Sequence, residues 1–235
     1  MAFRSAGAAT SVAVTTTSAA AGAPSGFVAN DILILVLSSD ANASTASPPS
    51  GFTQLIKDTW TTPDGQVMFL WWKRAAGSDS LTVTGMSASA SKLLRCFAWS
   101  GRDTVNPPVI STSALNQSSN ASPTTLTANG VTALAGDDLF WFGALDVNAA
   151  SATNTFTQPT GYTSQGSSVD TVDHFNVIAA ANKDNVGAGA TGTVSGTLTH
   201  SGSAGWDALL VRIPSSGGGA SAFDIPQLGM MGVGF

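Results

Sequence analysis

Apolar residues occur along the chain in short runs of strand length, separated by Gly, Pro, Asn and Ser clusters. The clearest runs are Ser11–Thr17, Ile32–Ser38, Gln66–Arg74, Ser80–Thr84, Lys92–Trp99, Leu139–Leu145, His174–Ala180, Thr193–Thr199 and Trp206–Ile213. Ile32–Leu37 (ILILVL) and Gln66–Trp72 (QVMFLWW) are apolar on successive residues. Both faces of such strands must be covered, so they belong inside a layered structure. Ser80–Thr84 and Thr193–Thr199 alternate, as half-buried strands do. No stretch keeps a 3.6-residue period. The pattern predicts an all-β chain, an antiparallel sandwich of jelly-roll type, with helix confined to a turn or two.

The runs also repeat weakly. Asn30-Asp31 and a strand, a Ser/Ala loop, Pro49-Ser-Gly-Phe52, a strand ending at Lys73, Leu81–Thr84 and Leu93–Trp99 make one series. Asp137-Asp138 and a strand, an Asn/Ala loop, Pro159-Thr-Gly-Tyr162, His174–Lys183, Thr193–Thr199 and Trp206–Ile213 make another. The offset is 107 residues at the Asp and 110 at the Pro-x-Gly-aromatic turn. Two sequence-similar halves, about 8–101 and 126–214, are therefore expected. Four or five strands cannot bury both their faces alone, so the halves should share one core in a single sandwich over 1–214, connected through Arg102–Gly130.

Composition narrows the function. Ala, Ser, Thr and Gly make up half of the 235 residues, 10% are charged, and all 14 acidic residues are Asp. A net charge of −5 gives no surface able to neutralise a row of phosphates, so nucleic acid is not an expected partner. No apolar run approaches the ~20 residues of a spanning helix, and no membrane contact is expected. Thr15-Thr-Thr17 interrupts the place where an export signal would be apolar. The single Cys96 can form no internal disulfide.

Candidate chemistry is sparse. No G-x-S-x-G elbow, P-loop or H-E-x-x-H is present. Gly187-Ala-Gly-Ala-Thr-Gly192 fits G-x-G-x-x-G, but the strand pattern after it marks a Gly-rich hairpin loop rather than a phosphate cradle. His174 and His200 lack supporting motifs. Asp170 and Asp173 lie beside His174, and Asp137-Asp138 are adjacent, yet neighbouring residues on a strand diverge and Asp before a strand serves a turn. We expect no enzymatic activity, no catalytic residue, no metal and no cofactor. Trp71, Trp99, Trp141 and Trp206 read as core. Trp60, in the polar Asp58–Gly65 hairpin loop, is the one candidate ligand-binding aromatic.

Beyond Pro214, residues 215–222 read as a Gly/Ser linker. Residues 223–235 then carry Phe223, Ile225, Leu228, Met230, Met231, Val233 and Phe235 against a single charge. Such a peptide either folds back onto its own sandwich or, as expected here, docks on another subunit, with Gly allowing close approach and Met adaptable packing.

The series Pro24 to Asn30-Asp31 and its apolar strand, Pro49-Ser-Gly-Phe52, Trp72-Lys-Arg-Ala75 and Leu81-Thr-Val-Thr84 resembles a β domain common in tailed-bacteriophage virion proteins. The usual pattern has Gly where Asn30 stands and Trp where Phe52 stands. The resemblance covers about residues 8–214. It implies a virion structural protein, a capsid decoration (cement) or tail-associated component made in the host cytoplasm. Its partners would be the major capsid protein or tail proteins, and it would be a homo-oligomer, with a trimer expected. The alternative is a carbohydrate-recognising module of a tail fibre or receptor-binding protein.

Overall fold

The computed structural model describes residues 3–40, 45–60, 66–111, 120–147, 154–172, 176–200 and 203–216. These contain strands and no helix. The strands are β1 (Phe3–Ala6), β2 (Thr10–Val12), β3 (Ala19–Ala20), β4 (Ile32–Asp40), β5 (Thr53–Trp60), β6 (Gln66–Arg74), β7 (Thr82–Val83) and β8 (Lys92–Trp99). There follow β9 (Val109–Ile110), β10 (Asn120–Ala121), β11 (Thr124–Ala128), β12 (Thr132–Ala133), β13 (Asp138–Val147) and β14 (Thr155–Thr157). The last are β15 (Thr163–Val169), β16 (Asn176–Lys183), β17 (Gly189–Ala190), β18 (Val194–Thr199) and β19 (Ser203–Ile213).

Two six-stranded antiparallel sheets form the body. The first runs β1-β8-β4-β6-β5, with β2 also on β8; the second runs β10-β19-β13-β16-β15, with β9 also on β19. The central strands are those with unbroken apolar runs. Along β4, Ile32, Ile34 and Val36 point to one side and Leu33, Leu35 and Leu37 to the other, and all six are fully buried. Period-2 alternation turns a continuous apolar run into two apolar faces.

Among the described residues those faces build three cores. In the middle core the two large sheets meet, each supplying eight buried side chains among the described residues. Ile32, Ile34, Val36, Met68, Leu70, Leu93, Phe97 and Trp99 face Phe140, Phe142, Ala144, Ile178, Ala180, Leu209, Val211 and Ile213. Phe140 packs between Phe97 and Trp99, with ring centroids 4.8 and 4.9 Å away. A second core lies on the outer face of the first sheet, where Phe69, Trp71 and Leu35 are covered by Val12, Phe52, Leu81, Val83 and Met86. The third lies outside the second sheet under the three-stranded sheet β11-β18-β14. The two large sheets thus share a core, and each carries a further core on its far side. Turns and short strands around each large sheet carry enough apolar residues to cover its far side.

Other boundaries also differ from the pattern. Ser11–Thr17 contributes only β2 before a turn. The Asp58–Gly65 hairpin loop is shorter than expected, because Asp58–Trp60 end β5, with Trp60 opposite Gln66. The connection Arg102–Gly130 contains β9, β10 and β11, two of which extend the second sheet beside β19.

Gly replaces side chains where Trp141 lies flat. A Cβ on Gly143 would come within 2.6 Å of the Trp141 ring, and one on Gly196 within 2.9 Å. The cleared space lets the indole stack on Phe156, with centroids 5.5 Å apart and planes 10° off parallel, while its Nε1–H donates to the Val194 carbonyl at 3.2 Å.

Candidate functional site

The candidate carboxylates are held by local turns. Asp31 accepts the Val28 N–H at 2.9 Å, and Asp137 accepts the Leu134 N–H at 2.8 Å, each ahead of a strand of a large sheet. The preceding residues, Asn30 and Gly136, both have left-handed backbones, with φ of 71° and 85°. Asn tolerates this conformation and Gly adopts it freely, so Asn30 serves where a Gly would be expected. By this geometry Asp31 corresponds to Asp137, an offset of 106, and not to Asp138 as the spacing suggested. Asp31 also pairs with Arg4 at 2.7 Å. Asp137 accepts the Ser215 N–H at 2.9 Å and faces Arg212 at 3.5 Å.

Asp138 points elsewhere, to the Asn185 N–H at 2.8 Å and to Arg102 at 2.7 Å, in an ion pair with both side chains buried. Burial pushes its pKa up to about 6, against the opposing pull of the Asn185 N–H and Arg102. Asp170 is buried and accepts the Val172 N–H at 3.0 Å. His200 is buried and shares a 2.8 Å hydrogen bond with Thr124 Oγ1. Asp173 and His174 lie outside the described residues. Burial drives the Cys96 thiol up to about 12, so it carries no thiolate at neutral pH. Among the described residues, no group of three or more His, Cys, Asp or Glu could hold a metal ion. No helix among them is long and apolar enough to cross a membrane.

Trp60 sits at the end of β5, and its side chain lies outside the described residues, as does the whole peptide Phe223, Ile225, Leu228, Met230, Met231, Val233 and Phe235.

The two Pro-x-Gly-aromatic turns form lysine–aromatic clamps. The Phe52 N–H donates to the Pro49 carbonyl at 3.1 Å and the Tyr162 N–H to the Pro159 carbonyl at 3.0 Å. Gly51 and Gly161 have φ of 80° and 78°, the backbone that a turn of this hand demands at its third position. Lys73 Nζ then lies 5.9 Å from the Phe52 ring centroid, and Lys183 Nζ 5.9 Å from that of Tyr162. At this point the clamps diverge. Lys73 is paired with Asp79 at 2.6 Å and donates to the Ser50 carbonyl at 3.1 Å. Burial works against the Asp79 carboxylate, but Lys73 and the N–H groups of Ala76 and Gly77 hold its pKa below the ordinary value.

Lys183 has no ion-pair partner among the described residues. It borders a cleft of about 520 Å³ between the Tyr162 turn and the Gly187–Gly192 segment. That segment is a Gly-rich loop with no helix after it, but not the expected hairpin loop, since β16 and β18 lie in different sheets and the two-residue β17 between them pairs with β12. Burial raises the Tyr162 phenol to about 12, leaving it a neutral donor at physiological pH. Sequence reasoning passed over this cleft. The available signal was Lys183 at the end of its strand run, 21 residues after its Pro-x-Gly-aromatic turn as Lys73 is after its own, with Gly187–Gly192 standing where the first half has Asp79.

Polar groups also stitch the seam between the large sheets. Arg95 reaches from β8 to the Gln165 and Gly166 carbonyls of β15 at 2.5 and 3.3 Å. Ser38 donates to Asn176 at 3.0 Å, and Asn176 donates to Ser91 at 2.7 Å. Asp58 and Asp207 meet side chain to side chain across the same seam. No family model, no curated protein and no solved structure matches the chain.

Proposed function

We propose that the chain is a virion structural protein of a tailed bacteriophage, a capsid decoration or tail-associated component that binds neighbouring virion subunits. The reading includes a jelly-roll-like sandwich built from two sequence-similar halves, a homo-oligomer (a trimer by preference), and residence in the particle after synthesis in the host cytoplasm. The observation that carries it is where the motif residues spend their polar groups. Asp31, Asp137 and Asp138 hold turns and internal ion pairs, and Lys73 closes on Asp79. A chain whose most recognisable motifs serve internal rigidity suits a load-carrying particle component better than an enzyme.

The reading as two halves is supported by the parallel strand orders of the large sheets, β8-β4-β6-β5 and β19-β13-β16-β15. Register irregularities fall at matching places, between Gln54 and Ile56 and between Ser164 and Ser167. The docking element on this reading is the peptide Phe223–Phe235.

The test is to image purified particles of the phage that encodes the chain and fit the sandwich into density. Repeated density on the capsid lattice or along the tail supports the proposal. A chain found only in infected-cell lysate, never in particles, defeats it. Density at a fibre tip would favour the carbohydrate-recognising alternative.

A further inference from the structure

We infer that the cleft beside Tyr162 and Lys183 binds an acidic sugar, a uronate-type ring whose carboxylate pairs with the Lys183 ammonium. The other clamp shows what a lysine over an aromatic ring does in this protein. Lys73 over Phe52 is closed by a carboxylate, Asp79, at 2.6 Å. Lys183 over Tyr162 has the same 5.9 Å geometry, but the acid that follows it, Asp184, is turned away to accept from the Phe3 N–H at 3.3 Å and Asn182 Nδ2 at 2.8 Å, and Gly187-Ala-Gly-Ala-Thr-Gly192 brings no other. Where the first clamp holds its own carboxylate, the second leaves an open cleft of about 520 Å³.

The cleft fits more than a carboxylate. Its volume lies within the range of small-ligand sites, several times what one carboxyl group fills. Thr160 and Thr193 bring hydroxyls with no hydrogen bond among the described residues, while Leu139, Val194 and the Tyr162 ring supply apolar wall. Hydroxyls set around an ammonium, with an aromatic edge and exposed Gly backbone, suit a hydroxylated ring bearing one negative charge. An acidic side chain from a protein partner would satisfy Lys183 and leave the hydroxyls unused. Pairing of a ligand carboxylate with the exposed Lys183 ammonium should weaken as salt is added. The site stands whether or not the chain belongs to a particle, since none of its residues enters that proposal.

The experiment titrates the ¹⁵N-labelled full chain with methyl β-D-glucuronide at low salt and follows backbone amides. Saturable shifts are expected at Tyr162, Lys183, Gly187 and Gly189, in the millimolar range. Methyl β-D-glucoside, which lacks the carboxylate, should bind at least tenfold more weakly. Lys183→Gln, a change at an exposed position, should weaken glucuronide binding tenfold or more. Lys73→Gln, which opens the other clamp, should leave it within twofold. If Lys73→Gln does not fold, the glucoside and Lys183→Gln decide the matter alone. The inference is overturned by absence of saturable shifts up to the solubility of the glucuronide, by equal affinity for the glucoside, or by an unchanged Lys183→Gln. N-acetyl-aspartate amide binding as tightly as the glucuronide would also overturn it, leaving an acidic peptide as the better occupant.

Discussion

Asp207, fully buried on β19, meets Asp58 of β5 carboxyl to carboxyl across the seam of the two large sheets. Two ionised carboxylates at such close quarters repel, so a proton on one of them is favoured. Burial, then the neighbouring Asp58, raises the Asp207 pKa well above its ordinary 3.8, and burial raises that of Asp58 as well. No cation contributes to either shift. Raised folded-state values mean that the stabilising proton is held fully below about pH 4 and lost as pH rises through the folded value. The chain should therefore lose stability on going from pH 5 to pH 9. Asp207→Asn puts a neutral amide beside Asp58 in place of the acid. It should flatten this dependence and raise stability at pH 8 by about 1–3 kcal/mol. Urea unfolding at pH 5, 7 and 9 checks it, and a wild-type slope retained by the variant would show the pair to be irrelevant.

Arg102 and Asp138 are both buried, and breaking the pair strands a charge. Arg102→Met should cost about 3–5 kcal/mol at pH 8. The loss should shrink at pH 5, because Asp138, already raised to about 6, then takes a proton and sheds the unpaired charge. Chemical denaturation of the variant at the two pH values makes the comparison. Equal losses at both would mean that packing of the Arg102 stem, not the charge, accounts for the effect.

The flat seat of Trp141 predicts an unusual sensitivity to one methyl group. Gly196→Ala places a Cβ 2.9 Å from the indole and should destabilise by about 1–3 kcal/mol through overpacking. Gly187→Ala meets nothing within 4 Å and should be close to neutral. Thermal melts of the two variants side by side decide it, and equal melting temperatures would contradict the packing described.

For assembly, a chain ending at Ser221 should fold with unchanged thermal stability and fail to join its oligomer or particle. The apolar peptide it lacks is assigned to docking alone. Native mass spectrometry and particle occupancy are the readouts. Full occupancy by the shortened chain removes that peptide from the docking surface.

The inner strands could be read from sequence because burial on both faces leaves no polar residue to confuse the pattern. Ile32–Leu37 and Val67–Trp71 are each almost wholly inaccessible. The edge strands could not. β5 (TQLIKDTW) and β15 (TSQGSSV) are polar and irregular, and their backbone pairing with β6 and β16 holds them in place. The Asp turns were legible in kind but slipped by one residue, because Asp137-Asp138 offers two carboxylates and only φ at Gly136 tells which one caps the turn. The cleft at Lys183 stayed hidden for another reason. It is defined by an acid, Asp184, that is turned away from its neighbour Lys183, and that shows only in the folded geometry.

The middle core has a consequence for the chain as two separable pieces. Each large sheet owns one outer core and lends eight side chains to the seam, so a half cut free would present a broad apolar sheet face to water. Faces of that kind aggregate when alone. Co-expressed fragments ending at Ser111 and beginning at Asn120 should instead rescue one another, each capping the other's bare layer, with β9 carried on the first fragment to zip onto β19 of the second. A reporter divided at that point would become soluble only when its two parts meet.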